Sequence, residues 1–143
     1  MARVRDIVLN RVLFYVEESE TVAGVARQMA DVRVGAILVL QNGQLRGVFS
    51  ERDLMLRVVL QRLDPENTPV RTVMSTEVTT IDESASLEEA MEAMHRAGCR
   101  HLPVTRAGEV VGFLSMRDLM DFQLARQTEE LHHMQAYIHG AGS

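Results

Sequence analysis

Gly47-Val48-Phe49-Ser50-Glu51-Arg52-Asp53-Leu54-Met55 returns 65 residues later as Gly112-Phe113-Leu114-Ser115-Met116-Arg117-Asp118-Leu119-Met120. Read outward from this stretch, Glu18 to Met55 aligns with Glu83 to Met120 without a gap. Eleven of the 38 aligned positions are identical, among them Glu18/Glu83, Met29/Met94, Val39/Val104 and Gly43/Gly108. Ordinary composition gives roughly two or three such matches. The chain is therefore an internal duplication, and its best-kept stretch lies where a strand gives way to a helix.

Each copy carries the same order of local signals. Val12–Val16 is apolar and β-prone, as is its counterpart Val78–Ile81. Ser19 or Thr21 can cap a helix with Val22, Val25, Ala26 and Met29 on one face; Ser86 precedes Leu87, Ala90, Met91 and Met94 at the same spacing. Gly35–Leu40 and Arg100–Thr105 read as buried strands. Asn42-Gly43 and Ala107-Gly108 then turn the chain into Leu45–Ser50 and Val110–Ser115. Second helices are expected over 51–62 and from Met116 onward. The fold class is α/β: two β-α-β-β-α repeats packed as a pseudo-twofold pair, plus a long C-terminal helix.

The first repeat spans 1–62 and the second 70–124, joined by a linker over 63–69 that holds Pro65 and Pro69 and breaks the preceding helix. Seven residues suit a connection within one compact body. A helical extension over 125–143 continues the apolar pattern through Leu124, Leu131, Met134 and Ile138, ending in a Gly140-Ala141-Gly142-Ser143 tail expected to fray. That stripe needs a partner surface, either its own domain or a second copy.

At 143 residues the chain supports one ordinary domain, whereas either half alone is marginal. A net charge of −5 argues against a general nucleic-acid or anionic-membrane surface, so any phosphate site must be local. The single cysteine, Cys99, permits no internal disulfide and fits a reducing cytosol. No apolar run reaches membrane-spanning length, and four charged side chains within residues 1–11 argue against a signal peptide. A cytoplasmic location is expected.

The chemistry gathers at Ser50-Glu51-Arg52-Asp53 and Ser115-Met116-Arg117-Asp118. Serine with an acidic residue three positions on is a capping box, which stabilises a helix start without any ligand. The arginine fits that reading poorly, because a cation in the first turn faces the positive end of the helix dipole. An anion there reverses the cost, since free N–H groups, a hydroxyl and a guanidinium all favour phosphate. Asp53 and Asp118 would repel phosphate and so address another part of a ligand. A carboxylate accepting from two adjacent hydroxyls is one way to hold ribose.

These residues resemble the CBS domain (cystathionine β-synthase domain), present as a pair from about Val4 to Met120. Arg100-His101-Leu102-Pro103-Val104 followed by Gly108, Gly112 and Ser115-Met116-Arg117-Asp118 is close to that family's wording. The resemblance implies two motifs packed through their sheets, modules that pair into a flat homodimer, and clefts for AMP, ADP, ATP, NAD(H) or S-adenosylmethionine. By position it gives Asp53 and Asp118 to ribose, and Ser50, Arg52, Ser115 and Arg117 to phosphate. Gly35, Ala36, Ile37, His101, Leu102 and Pro103 would border adenine, and the segments before Val12 and around Thr76–Val78 would close the pocket. Its implied role is ligand-sensing regulation of an unidentified protein, with no required cofactor and no catalysis.

The copies are not equal. Glu51 stands where Met116 does, and Gly35-Ala36 where Arg100-His101 does, so the Asp118 site should tolerate more phosphate charge. Arg100 joins the candidate residues on that ground. Pro103 removes a ladder donor and suits an edge or bulge, freeing backbone groups for a base or simply ending a sheet. His132, His133 and Glu129 read as a solvated helix face rather than a metal site, and Cys99 as a small buried hydrophobe at the place of Val34. A structural protein working through its C-terminal helix is the main rival reading. A hydrolase built on Ser115, Asp118 and His101 lacks a nucleophile elbow.

Overall fold

The structure, a computed structural model, describes residues 1–141. Its strands form two three-stranded sheets that repeat one plan. In the first, β1 (Tyr15–Glu17) runs parallel to β2 (Ala36–Gln41), which pairs antiparallel with β3 (Gln44–Ser50). In the second, β4 (Ile81–Asp82), β5 (His101–Arg106) and β6 (Glu109–Ser115) do the same. The register is also repeated: Ala36 faces Ser50 and His101 faces Ser115, with a bulge after Val39 and another after Val104.

The hairpin turns follow from the backbone that their residues accept. Asn42 and Gly43 lie at φ +51° and +77°, and Ala107 and Gly108 at +51° and +83°. Two successive left-handed residues make the turn whose twist suits adjoining antiparallel strands. The helices between strands, α2 (Val22–Val32) and α4 (Leu87–Ala97), start where a hydroxyl meets an orphan N–H: Thr21 Oγ1 accepts from Gly24 N at 3.2 Å, and Ser86 Oγ from Glu89 N at 3.1 Å. Thr21, not Ser19, is the first of these caps. Val22, Val25 and Met29 on α2, and Leu87, Ala90 and Met94 on α4, are buried as their spacing predicts, whereas Ala26 is half-buried and Met91, expected on the same face, is 37% exposed.

Several elements depart from the sequence reading. The apolar stretches before β1 and β4 are mostly not strand: pairing begins only at Tyr15 and Ile81, and Val12 is 74% exposed. The helix expected over 51–62 is one α-turn, α3 (Glu51–Asp53), opening into a π-helical run, Leu54–Val59. There Leu60 N reaches back to Met55 O at 3.0 Å, and Arg62 closes the run in the left-handed region at φ +59°. Pro103 lies on the central strand of its sheet, not an edge. It is tolerated because β4 is only two residues long and pairs with Val104 and Thr105, leaving no neighbour that needs the missing N–H.

A further helix, α1 (Val4–Val8), joins the second half rather than the first. Val4 N donates to Ala85 O and Arg5 N to Glu83 O, both at 2.9 Å, and Val4, Ile7 and Val8 sit in one core with Leu87, Leu102, Leu114 and Leu119. Val70–Thr72 makes the matching turn against the first half: Val70 N donates to Glu20 O at 2.8 Å and Arg71 N to Glu18 O at 3.1 Å. Val70, Val73 and Met74 complete the other core with Val16, Ile37 and Phe49. Each half therefore borrows the segment that precedes the other in sequence. The paired glycines within β3 and β6, Gly47 and Gly112, mark where these segments press on the sheets. A Cβ on Gly47 would lie 2.6 Å from Ser75 O, and one on Gly112 would lie 2.9 Å from Val8 Cβ.

Helix α5 (Met116–Ala141) docks by Leu119 and Phe122 and then leaves the body. Leu124, Leu131, Met134 and Ile138 are 54–63% exposed, so the stripe does not pack on its own domain. The fraying expected of the terminal tail falls, at Gly142 and Ser143, outside the described residues.

Candidate functional site

Both junction motifs form the capping box. Ser50 Oγ accepts from Asp53 N at 3.1 Å while Asp53 Oδ2 accepts from Ser50 N at 3.0 Å; the corresponding distances for Ser115 and Asp118 are 3.0 and 2.9 Å. The helix-capping reading is thus satisfied in both copies, and it uses one oxygen of each carboxylate. Oδ1 remains. What each Oδ1 meets is where the halves part company.

Around Asp118, the two halves enclose a cleft of about 1030 Å3. Its walls are Val34, Gly35 and Ala36 at the head of β2, Arg100 and His101 at the head of β5, the segment Arg11–Phe14, and the junction Ser115–Asp118. Such a volume holds a ligand of nucleotide size. Asp118 Oδ1 pairs with Arg11 Nη1 at 3.0 Å, and both side chains keep contact with solvent. Burial disfavours the Asp118 charge, but the Ser115 N–H, the Arg11 guanidinium and the Ser115 hydroxyl outweigh it and hold the carboxyl below its ordinary value of 3.8.

The cleft is locally basic in an acidic chain. Arg11, Arg33, Arg100 and Arg117 line it against Asp118 and Asp121. Arg33 holds a left-handed backbone at φ +58° at the end of α2, the place that Gly98 takes after α4. His101 stacks on Phe113 with ring centroids 5.2 Å apart and planes 29° apart. Burial pushes the imidazole below its ordinary value of 6.5; the Asp118 charge opposes this and Arg100 adds to it. A neutral ring pair therefore forms one apolar wall beside the guanidiniums.

Of the residues singled out from the sequence, Val12, Gly35, Ala36, Arg100, His101, Ser115, Arg117 and Asp118 line this cleft. Ile37, Leu102 and Pro103 are buried within their sheets. Ser50, Arg52, Asp53, Thr76 and Val78 lie outside it. Sequence reasoning set the segment before Val12 at the pocket without naming Arg11, and it missed Phe14, Arg33 and Phe113. Only Arg33 had a visible signal, an arginine where the other copy places a helix-ending glycine.

Around Asp53, the carboxylate is 7% exposed and answered from within the chain. Ser75 Oγ donates to Oδ1 at 3.0 Å, and Arg57 Nε lies 3.6 Å from the same oxygen. Arg57 also donates from Nη1 to Met74 O at 2.9 Å, fastening the borrowed segment. In the second copy the place of Arg57 is taken by Phe122, which packs into the core. Glu51 leans over the head of β2, its Oε1 3.2 Å from where a Cβ on Gly35 would stand.

Two equivalent α/β units sharing a cleft at one of their helix entrances define a paired-repeat module. The sequence pattern of the CBS domain matches residues 4–60 and 70–125, and the chain belongs to the CBS-domain family as a tandem pair. It is 34% identical over 128 residues to the CBS domain-containing protein YhcV of Bacillus subtilis, covering 90% of each chain. Among solved structures it resembles a CBS-domain protein from Burkholderia ambifaria (TM-score 0.83, 30% identity, 88% of this chain and 96% of that one). It also resembles the CBS domain protein PAE2072 from Pyrobaculum aerophilum, which was solved in complex with AMP (TM-score 0.72, 33% identity, 82% and 89% covered).

Proposed function

We propose that the chain is a regulatory module that binds an adenine nucleotide in the Asp118 cleft and transmits its occupancy to a partner protein. The observation that carries this reading is the cleft's composition: both halves wall it, and it joins two carboxylates, four arginines and an aromatic pair. Asp118 Oδ1 accepts from the ribose hydroxyls once Arg11 turns away. Arg11, Arg100 and Arg117 then serve phosphate, helped by the Ser115 hydroxyl, and the His101–Phe113 wall meets the base. AMP in the Pyrobaculum relative supports the ligand class.

Regulation follows from the shared walls. A ligand that touches the head of β2 in one half and α5's entrance in the other binds better to one relative angle of the halves than to another, which shifts their population. The surface that feels this angle includes two exposed apolar patches at the repeat offset: Met55 and Val59 in the first half, Met120 and Leu124 in the second. A second copy of the chain is the partner that this matched pair suits, giving a homodimer with α5 projecting from it.

Thermal melting against AMP, ATP, NAD(H) and S-adenosylmethionine tests the ligand reading. A ligand of the folded state at a hundred times its Kd adds about 2.7 kcal/mol. Melting temperatures that do not move with any of the four would refute it. An Asp118→Asn variant should lose roughly tenfold to a hundredfold in affinity, the size of a lost hydrogen bond to a charged group.

A further inference from the structure

We infer that the Asp53 half-site is permanently closed by the chain itself, so that each chain takes one nucleotide, at Asp118, and Ser75 holds the place of a ribose hydroxyl at Asp53. This rests on the nucleotide reading of the Asp118 cleft and limits it to a single site.

The two carboxylates are presented alike, each with Oδ2 in a capping box and Oδ1 turned away from it. Their partners on Oδ1 differ in whether they can leave. Arg11 is a long side chain, half exposed, at the mouth of a cleft. It reaches Asp118 from a segment that the cleft itself borders, and rotation about its own bonds releases the carboxylate without moving backbone. The phosphate of an incoming ligand offers the guanidinium a better-charged partner.

Ser75 has no such freedom. Its N donates to Val48 O and its O accepts from Val48 N, both at 2.9 Å, so its backbone is an added rung on β3. The Met74 carbonyl before it is held by Arg57, and the bare α-carbon of Gly47 lets the segment lie flat on the strand. Withdrawing the Ser75 hydroxyl far enough to admit a sugar means breaking this bridge. Rotation of the hydroxyl alone leaves Asp53, only 7% exposed, beneath a segment whose backbone stays paired to Val48.

The contrast is written into a single position. Val4 and Val70 donate to equivalent carbonyls, of Ala85 and Glu20, so Ser75 occupies the place that Leu9 has in the other half. Leu9 has no hydroxyl to give to Asp118, and its side chain is 61% exposed. Asp53 has thus become a structural carboxylate that ties the borrowed segment to its sheet.

Native mass spectrometry of the full chain with AMP counts the sites, and photolabelling with azido-AMP locates them. The expected result is one AMP per chain at saturation, with adducts in peptides covering 9–14, 33–36 or 113–118. A second AMP per chain at saturation, or adducts in peptides covering 48–53 or 74–78, overturns the inference while leaving the nucleotide reading intact. No AMP adduct under conditions that preserve the fold overturns both.

Discussion

Substituting the two repeat glycines separates the grip of the borrowed segments from ordinary strand stability. In Gly47→Ala, the new methyl would lie 2.6 Å from Ser75 O and 2.9 Å from Met74 Sδ. Carbon contacts rest near 3.5–4.0 Å, so the segment must lift by roughly 0.7 Å or more. Both Ser75–Val48 backbone bonds, at 2.9 Å, would then stretch beyond good geometry. Two hydrogen bonds at about 1 kcal/mol each, plus about 1–3 kcal/mol for overpacking, give about 3–5 kcal/mol. In Gly112→Ala the clash is with Val8 Cβ at 2.9 Å, on the side chain of a short helix that can shift as a unit. Overpacking alone applies there, about 1–3 kcal/mol. Urea unfolding of the two variants, with slopes compared to confirm the same transition, measures both. Gly47→Ala within about 0.5 kcal/mol of the parent, or milder than Gly112→Ala, would refute the packing account.

Three other outcomes follow from the same contacts. Ser75→Ala leaves the buried Asp53 Oδ1 with only Arg57 at 3.6 Å, so the urea midpoint should fall by the equivalent of about 1–3 kcal/mol; an unchanged midpoint would mean the hydroxyl is idle. His101 is held below 6.5 chiefly by burial, so its contribution is complete above that pH and is lost as pH falls through its lowered folded-state value. Stability measured from pH 7.5 to 5 should therefore decline, and His101→Gln should flatten that part of the curve; parallel curves would contradict the assignment. The exposed pair Val59 and Leu124 lies at the proposed dimer face, so Val59→Arg with Leu124→Arg should convert a dimer to a monomer by light scattering. A parent that is itself monomeric at high concentration would remove that interface.

The repeated plan was legible because each of its signals is local. A capping hydroxyl before an apolar face, two turn residues between strands and Ser-x-x-Asp at a strand end act over four residues or fewer, and their chemistry is the same in any surroundings. The exchange of α1 and the Val70–Thr72 turn between halves was hidden because either sheet could accept those apolar residues. What decides is geometry around Gly47 and Gly112, whose missing side chains were visible as identities but whose contacts lie elsewhere in the chain. Val12–Phe14 misled for a related reason: apolar, β-prone residues line a cleft as readily as they fill a strand.

The candidate site was half legible. Reading both junctions as equivalent followed from their identical Ser, Arg and Asp, yet the residues that make them unequal are Ser75 and Arg11, neither in the aligned stretch. The sequence reading placed the inequality in Glu51 and Arg100, which tune charge. The structure adds a second difference: a half-exposed guanidinium meets one carboxylate, and the hydroxyl of a residue paired by its backbone to β3 meets the other. The capping box and the ligand reading also cease to compete, since each uses a different oxygen of the same aspartate.

Nucleotide binding in the cleft requires Asp118 to give up Arg11. A crystal structure of the chain soaked or grown with AMP tests it most directly. Ribose hydroxyls are expected on Asp118 Oδ1, with Arg11 turned from its 3.0 Å pairing toward the phosphate. AMP bound elsewhere, or Arg11 still paired with Asp118 beside an empty cleft at saturating AMP, would contradict it.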